Sequence, residues 1–120
     1  MGKKTVALFS ALVSCSSPQQ LKQQARWMDE TEARIQMPGG SAALESYARY
    51  YALDDGERVV GVYITIVEPE NPQYNVPIGE RRWVNRRTEL PVILDGGCTV
   101  VTVRFDPKTG NAGASCNGVA

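Results

Sequence analysis

The sequence predicts an α+β domain: one helix packed on a small antiparallel sheet of hairpins, following a signal peptide that is removed. Three observations predict it. A helix-start signature stands at Ser17-Pro18-Gln19-Gln20. Two turn signals, "DDGE" (Asp54 to Glu57) and "DPKTG" (Asp106 to Gly110), each separate stretches of strand length. The stretches beside those turns alternate or are wholly apolar, the patterns of half-buried and fully buried strands.

At 120 residues the chain is one domain. Apolar residues make up 42% and charged residues 22%, a balance that suits a packed core and is too apolar for a disordered chain. Thirteen basic and thirteen acidic side chains cancel, so no global field recruits nucleic acid. No apolar run approaches the ~20 residues of a membrane-spanning helix.

The first residues read as an export signal. Lys3 and Lys4 give a positive start, and Thr5 to Val13 an apolar core of the length a secretory signal uses. Leu12-Val13-Ser14-Cys15 follows. That tetrapeptide resembles the bacterial lipobox, in which a branched apolar residue, a tolerant position and a small residue precede a cysteine. The resemblance covers residues 1 to 15 and identifies no more specific family. It implies cleavage before Cys15, a diacylglyceryl thioether on the Cys15 sulfur and an acylated amine. Ser16 rather than aspartate beside that cysteine implies the outer membrane. The division is then a signal peptide over residues 1–14 and a single α+β domain over 15–120, with 11 basic and 13 acidic side chains remaining. Two alternatives stay open: ordinary secretory cleavage with Ser14 and Ser16 as the small residues, and residues 5–13 as a buried strand.

With Cys15 assigned to lipid, Cys98 and Cys116 remain. An even pair in an exported domain predicts a disulfide. Cys98 to Phe105 alternates, with Thr99, Val101, Val103 and Phe105 on one side, and a return strand from Asn111 brings Cys116 back toward Cys98.

The helix is expected over Pro18 to Ile35, with a capping box at its start and Leu21, Ala25, Met28 and Ile35 near one stripe that Glu32 interrupts. Pro38-Gly39-Gly40 ends it. Tyr47 to Leu53 and Arg58 to Val67 form a hairpin around Asp-Gly, although Leu44, Tyr47, Ala48 and Tyr51 also fit helical spacing, leaving residues 42–52 open between strand and helix. "VVGVYITIV" (Val59 to Val67) is the expected central strand, and Gly61 within it marks a bulge or a close backbone approach. Glu68 to Glu80 reads as a proline-rich surface loop. Arg81 to Arg87 and Pro91 to Leu94 read as short strands, and Asp95-Gly96-Gly97 as a turn.

Chemistry is sparse. With no histidine in the chain, the commonest general base and every Ser-His or Cys-His arrangement are missing. Asp54 and Asp55 sit in a turn signal, and Asp95 and Asp106 bracket the last strand without the alternating acidic loop of a calcium site. No catalytic, metal or cofactor site is expected. The tyrosines of "YARYYA" (Tyr47, Tyr50, Tyr51) suit a half-buried strand better than ligand stacking. The unusual patch is "ERRWVNRRTE" (Glu80 to Glu89): Arg81, Arg82, Trp83, Arg86 and Arg87 form a candidate interaction surface, with Arg81, Trp83 and Arg87 expected on one strand face. The competing expectation is a charged edge strand that resists aggregation. The chain is therefore read as a lipid-anchored envelope protein at the periplasmic face of the outer membrane. Its expected role is a non-catalytic binding or scaffolding module, with the membrane, an envelope protein or an anionic lipid or glycan as partner and no nucleic acid. The alternatives are a soluble periplasmic protein and a carboxylate-dependent enzyme acting on an envelope polymer.

Overall fold

The structure, a computed structural model, describes residues 17–117. The leader, the Leu12-Val13-Ser14-Cys15 motif and any strand over 5–13 lie outside the described residues. Helix α1 (Pro18–Arg34) opens as its sequence dictates: the Gln20 amide donates to Ser17 Oγ at 3.1 Å and the Ser17 amide to Gln20 Oε1 at 2.9 Å. Ile35 leaves the helix in an extended conformation. No helix of the described residues is long and apolar enough to cross a membrane.

A short 3₁₀ turn, Leu44–Ser46, leads into β1 (Ala48–Leu53), so the ambiguous stretch is strand from Ala48 onward. The chain reverses at Asp54 to Glu57 and returns as β2 (Val59–Ile64), antiparallel to β1 with Leu53 opposite Val59. Asp54 Oδ1 accepts from the amides of Gly56 and Arg58, which fixes the turn. Every residue of β2 is buried, as expected of a strand covered on both faces. Gly61 is not a bulge. A side chain there would place its Cβ 2.6 Å from Val103 Cγ2 and 3.1 Å from the Tyr51 ring, so side chains rather than backbone occupy its space.

Strand β3 (Arg81–Trp83) overturns the all-antiparallel expectation. It pairs parallel to β1, Arg49 opposite Arg81 and Tyr51 opposite Trp83, and lies on the far side of β1 from β2. The chain from Glu68 to Glu80 makes that crossover. It is more than a surface loop, because Val76 is buried beneath the sheet and donates its amide to the Tyr50 hydroxyl at 2.9 Å. The strand ends at Trp83. Arg87–Glu89 is a 3₁₀ turn, and Pro91 to Leu94 is not strand.

Strand β4 (Gly97–Phe105) pairs antiparallel with β2 and then with β5 (Ala112–Asn117), giving a five-stranded mixed sheet ordered β3-β1-β2-β4-β5. Its register slips between Gly97 and Val101. Without the slip, the register of Phe105 with Ala112 would carry Cys98 past the end of β5. With it, Gly97 faces Asn117 and Cys98 faces Cys116, their Cα atoms 4.5 Å apart and their sulfurs at bonding distance.

One face of the sheet packs on α1 through Met28, Tyr47, Tyr51, Val59, Tyr63, Val101, Val103 and Phe105. The other is covered by irregular chain, where Val76, Leu90, Tyr74 and Ile93 meet Ala48, Tyr50, Val62 and Val100. Leu21 departs from the expected stripe. It is 56% exposed, and the buried residues of α1 are Met28 and Thr31 further along the helix.

Candidate functional site

The arginine-rich segment does not form one surface. Alternation along β3 sends Arg81 and Trp83 to the helix side and Arg82 to the opposite side. Trp83 stacks on Trp27 of α1 with ring centroids 5.7 Å apart. Arg81 donates through Nη2 to Asp29 at 2.7 Å and through Nη1 to Glu32 at 3.1 Å. Burial works against its charge, but these carboxylates outweigh that and raise its pKa.

Those bonds belong to a network that the helical pattern marked only as an interruption. Glu32 Oε2 also accepts from Arg49 Nε at 3.1 Å and from the Tyr51 hydroxyl at 2.7 Å, and Tyr51 is hydrogen-bonded to the Tyr63 hydroxyl. Arg49 Nη1 reaches the Leu44 carbonyl. Burial, reinforced by the neighbouring Tyr63 hydroxyl, pushes the Tyr51 pKa far above the ordinary phenol value; burial does the same to Tyr63. Both phenols therefore stay protonated at physiological pH. The sequence signal for this cluster was Glu32 itself, a carboxylate on an otherwise apolar stripe with no partner on its own helix.

Arg82, Arg86 and Arg87 are exposed. Arg82 Nη1 donates to Asn75 Oδ1 at 2.7 Å. Among the described residues no carboxylate lies within ion-pair distance of these three arginines, whereas Arg49, Arg58 and Arg81 are all paired. Arg87 stands close enough to the β1–β2 turn to stabilise ionised Asp54. Burial opposes that ionisation, but the Arg58 and Gly56 amides with the Arg58 guanidinium outweigh it and lower the Asp54 pKa.

Beside β3 lies an open cleft of about 530 Å³, lined by Pro72 and Gln73 of the crossover, Arg82 to Asn85, and Thr88 and Glu89. Gln73 is tied to the Leu90 carbonyl at 2.8 Å, and Glu89 accepts the Asn85 amide at 3.2 Å. The cleft thus offers a guanidinium, amides, a hydroxyl, part of an indole and the Glu89 carboxylate, with one Glu89 oxygen held by the Asn85 amide. That set suits hydrogen bonding and charge recognition, and it contains neither a free nucleophile–base pair nor a carboxylate pair.

The remaining sequence candidates are structural in their contacts. Tyr47, Tyr50 and Tyr51 are almost wholly buried, so none is open to a ligand. Tyr47 donates to the Cys98 carbonyl at 2.6 Å and accepts the Ala42 amide. Asp106 Oδ1 accepts the Lys108 amide within the last hairpin turn. Among the described residues no group of three or more histidine, cysteine, aspartate or glutamate side chains could hold a metal ion.

The fold and these sites define an α+β domain with one helix on a mixed five-stranded sheet and a polar cleft at one sheet edge. Comparison of the chain with family models, curated proteins and solved structures finds no match.

Proposed function

We propose that this protein is a small lipid-anchored lipoprotein of the bacterial envelope whose domain is a non-catalytic binding module, with the cleft beside β3 taking an anionic partner or ligand. The observation that carries the reading is the division of the arginines. Arg49, Arg58 and Arg81 are neutralised by carboxylates, while Arg82, Arg86 and Arg87 remain exposed at and near the cleft. An unpaired guanidinium is well hydrated and costs little to leave free, yet it gains charge-assisted hydrogen bonds when a phosphate or carboxylate arrives. Trp83 and Val84 add apolar surface against which such a ligand excludes water.

The anchoring half of the reading is supported by Lys3, Lys4, the apolar run and Leu12-Val13-Ser14-Cys15. A disulfide between Cys98 and Cys116 agrees with an oxidising compartment, and Ser16 favours the periplasmic face of the outer membrane.

The test is equilibrium binding of the unlipidated Cys15→Ser chain to phosphatidylglycerol vesicles and to envelope glycans at low salt, comparing it with the same chain carrying Arg82→Glu and Arg87→Glu. The reading expects binding that the double variant weakens without loss of fold. Equal binding by both proteins would leave only the edge-protection role for these arginines. Turnover of an envelope polymer that is lost in Asp54→Asn would replace the reading with an enzyme.

A further inference from the structure

The two edges of the sheet are unlike. In β3 the backbone groups facing away from β1 are those of Arg81 and Trp83, because Glu80 accepts from the Arg49 amide and the Val84 amide donates to Tyr51. That edge is three residues long, carries arginine, and its continuation is closed where Glu89 takes the Asn85 amide. Such an edge resists the addition of another strand.

Strand β5 has no such protection. The Asp106 amide donates to the Asn111 carbonyl at 2.8 Å, which sets the alternation of the hairpin. Asn111, Gly113 and Ser115 turn their backbone groups to β4, and Ala112, Ala114 and Cys116 turn theirs outward. Among the described residues nothing hydrogen-bonds these outward groups. The strand, "AGASCN", has no charge and no proline. A Cβ at Gly113 would meet nothing within 4 Å, so the sheet face above this strand is uncrowded there. The Cys98–Cys116 link holds the strand end to β4 and keeps the edge ordered.

The edge is also complementary to itself. With a two-fold axis through Ala114, Ala114 faces its own copy and Ala112 faces Cys116 of the partner, so all the outward amides and carbonyls of Ala112, Ala114 and Cys116 are matched. Gly113 falls opposite Ser115. Every opposed pair is small, and the neighbouring charges sit one strand inward, Arg104 across from Gly113 and Arg34 over the Phe105 ring that faces Ala112. Side chains this small let two such strands approach to the ~4.8 Å of sheet pairing.

We propose that β5 is a self-association edge, through which two copies of this chain pair antiparallel about Ala114 and continue the sheet from one protomer into the next. Six residues a side is far below the roughly 20–30 of a standard interface, so the dimer is weak and reversible. The inference stands on strand register and does not rest on the cleft or on the lipid.

The test follows sedimentation of the oxidised full chain over a wide concentration series, with amide hydrogen exchange at both ends of the series. The proposal expects concentration-dependent dimerisation and protection gained at the amides of Ala112, Ala114 and Cys116. Ala112→Pro, which removes an outward amide and leaves the β4 ladder intact, should abolish both while the monomer's thermal unfolding stays close to wild type. The exchange map of the wild type decides the matter even if that variant folds poorly. A chain that stays monomeric throughout overturns the proposal, as does a dimer without protection at those three amides. Protection that arises only on adding a different protein would assign the edge to a foreign strand and overturn self-pairing.

Discussion

Arg49 on β1 and Glu32 on α1 form an ion pair at 3.1 Å in which the two side chains are only 8% and 15% exposed. The pair joins helix to sheet at the point where Tyr51 and Arg81 also reach the same carboxylate. Taking both charges from water is costly, and the surrounding hydrogen bonds offset that cost only while all members are present.

Removing Glu32 should therefore be severe. Glu32→Ala leaves the Arg49 guanidinium buried without its partner and is expected to cost roughly 3–5 kcal/mol, read as a lower denaturant midpoint at unchanged slope. Asp29→Ala removes a side chain that is 67% exposed and should cost under about 1 kcal/mol. Equal costs for the two would show that burial of the carboxylate does not set the strength of these pairs.

The same cluster sets an alkaline limit. Tyr51 and Tyr63 have folded pKa values raised above the ordinary value of 10.0, chiefly by burial. In the unfolded chain both phenols ionise near pH ~10. Their contribution is complete below that pH, and stability falls as pH rises above it, because only the unfolded state releases the protons. Phenolate absorbance from these two residues should appear only with unfolding, and Tyr63→Phe should make the alkaline decline shallower.

Gly61 sets a packing limit. With its would-be Cβ 2.6 Å from Val103 Cγ2, Gly61→Ala overpacks the centre of the sheet and should cost ~1–3 kcal/mol. Val103→Ala in the same chain should return part of that loss, a coupling that a double-mutant cycle in urea measures directly.

Reduction tests the last hairpin. The link closes a separation of 18 residues, and opening it should cost about 3 kcal/mol. Thiol alkylation should find no free Cys98 or Cys116 in exported protein until a reductant is added.

What the sequence disclosed was local. The Ser17–Gln20 capping box, the Asp54–Glu57 reversal, the buried run of β2 and the approach of Cys98 to Cys116 each depend on neighbours or on one turn. What it concealed was long-range. Nothing near Arg81 announces a parallel partner over thirty residues upstream, because a three-residue strand carries too little alternation to state a direction. Pairing of Arg81 with Asp29 and Glu32 was invisible for the same reason, so the arginine segment read as one surface when its first member braces the helix. Glu68 to Glu80 read as a loop because its prolines are turn signals; only the second sheet face explains why Val76 is buried. Gly61 is neither the bulge nor the close backbone approach that a glycine in a strand suggests; the space beside it is filled by the Tyr51 and Val103 side chains, which the sequence could not place there.

The central claim is that the domain works from a membrane anchor on Cys15, and the mass of the intact protein recovered from cells tests it most directly. The account predicts a chain beginning at Cys15 and carrying acyl chains on that residue, each buried methylene contributing ~0.8 kcal/mol to membrane attachment. Cys15→Ser should then yield an unlipidated precursor or a soluble domain. A wild-type chain with an intact Met1 or Gly2 terminus and an unmodified Cys15 would contradict the account.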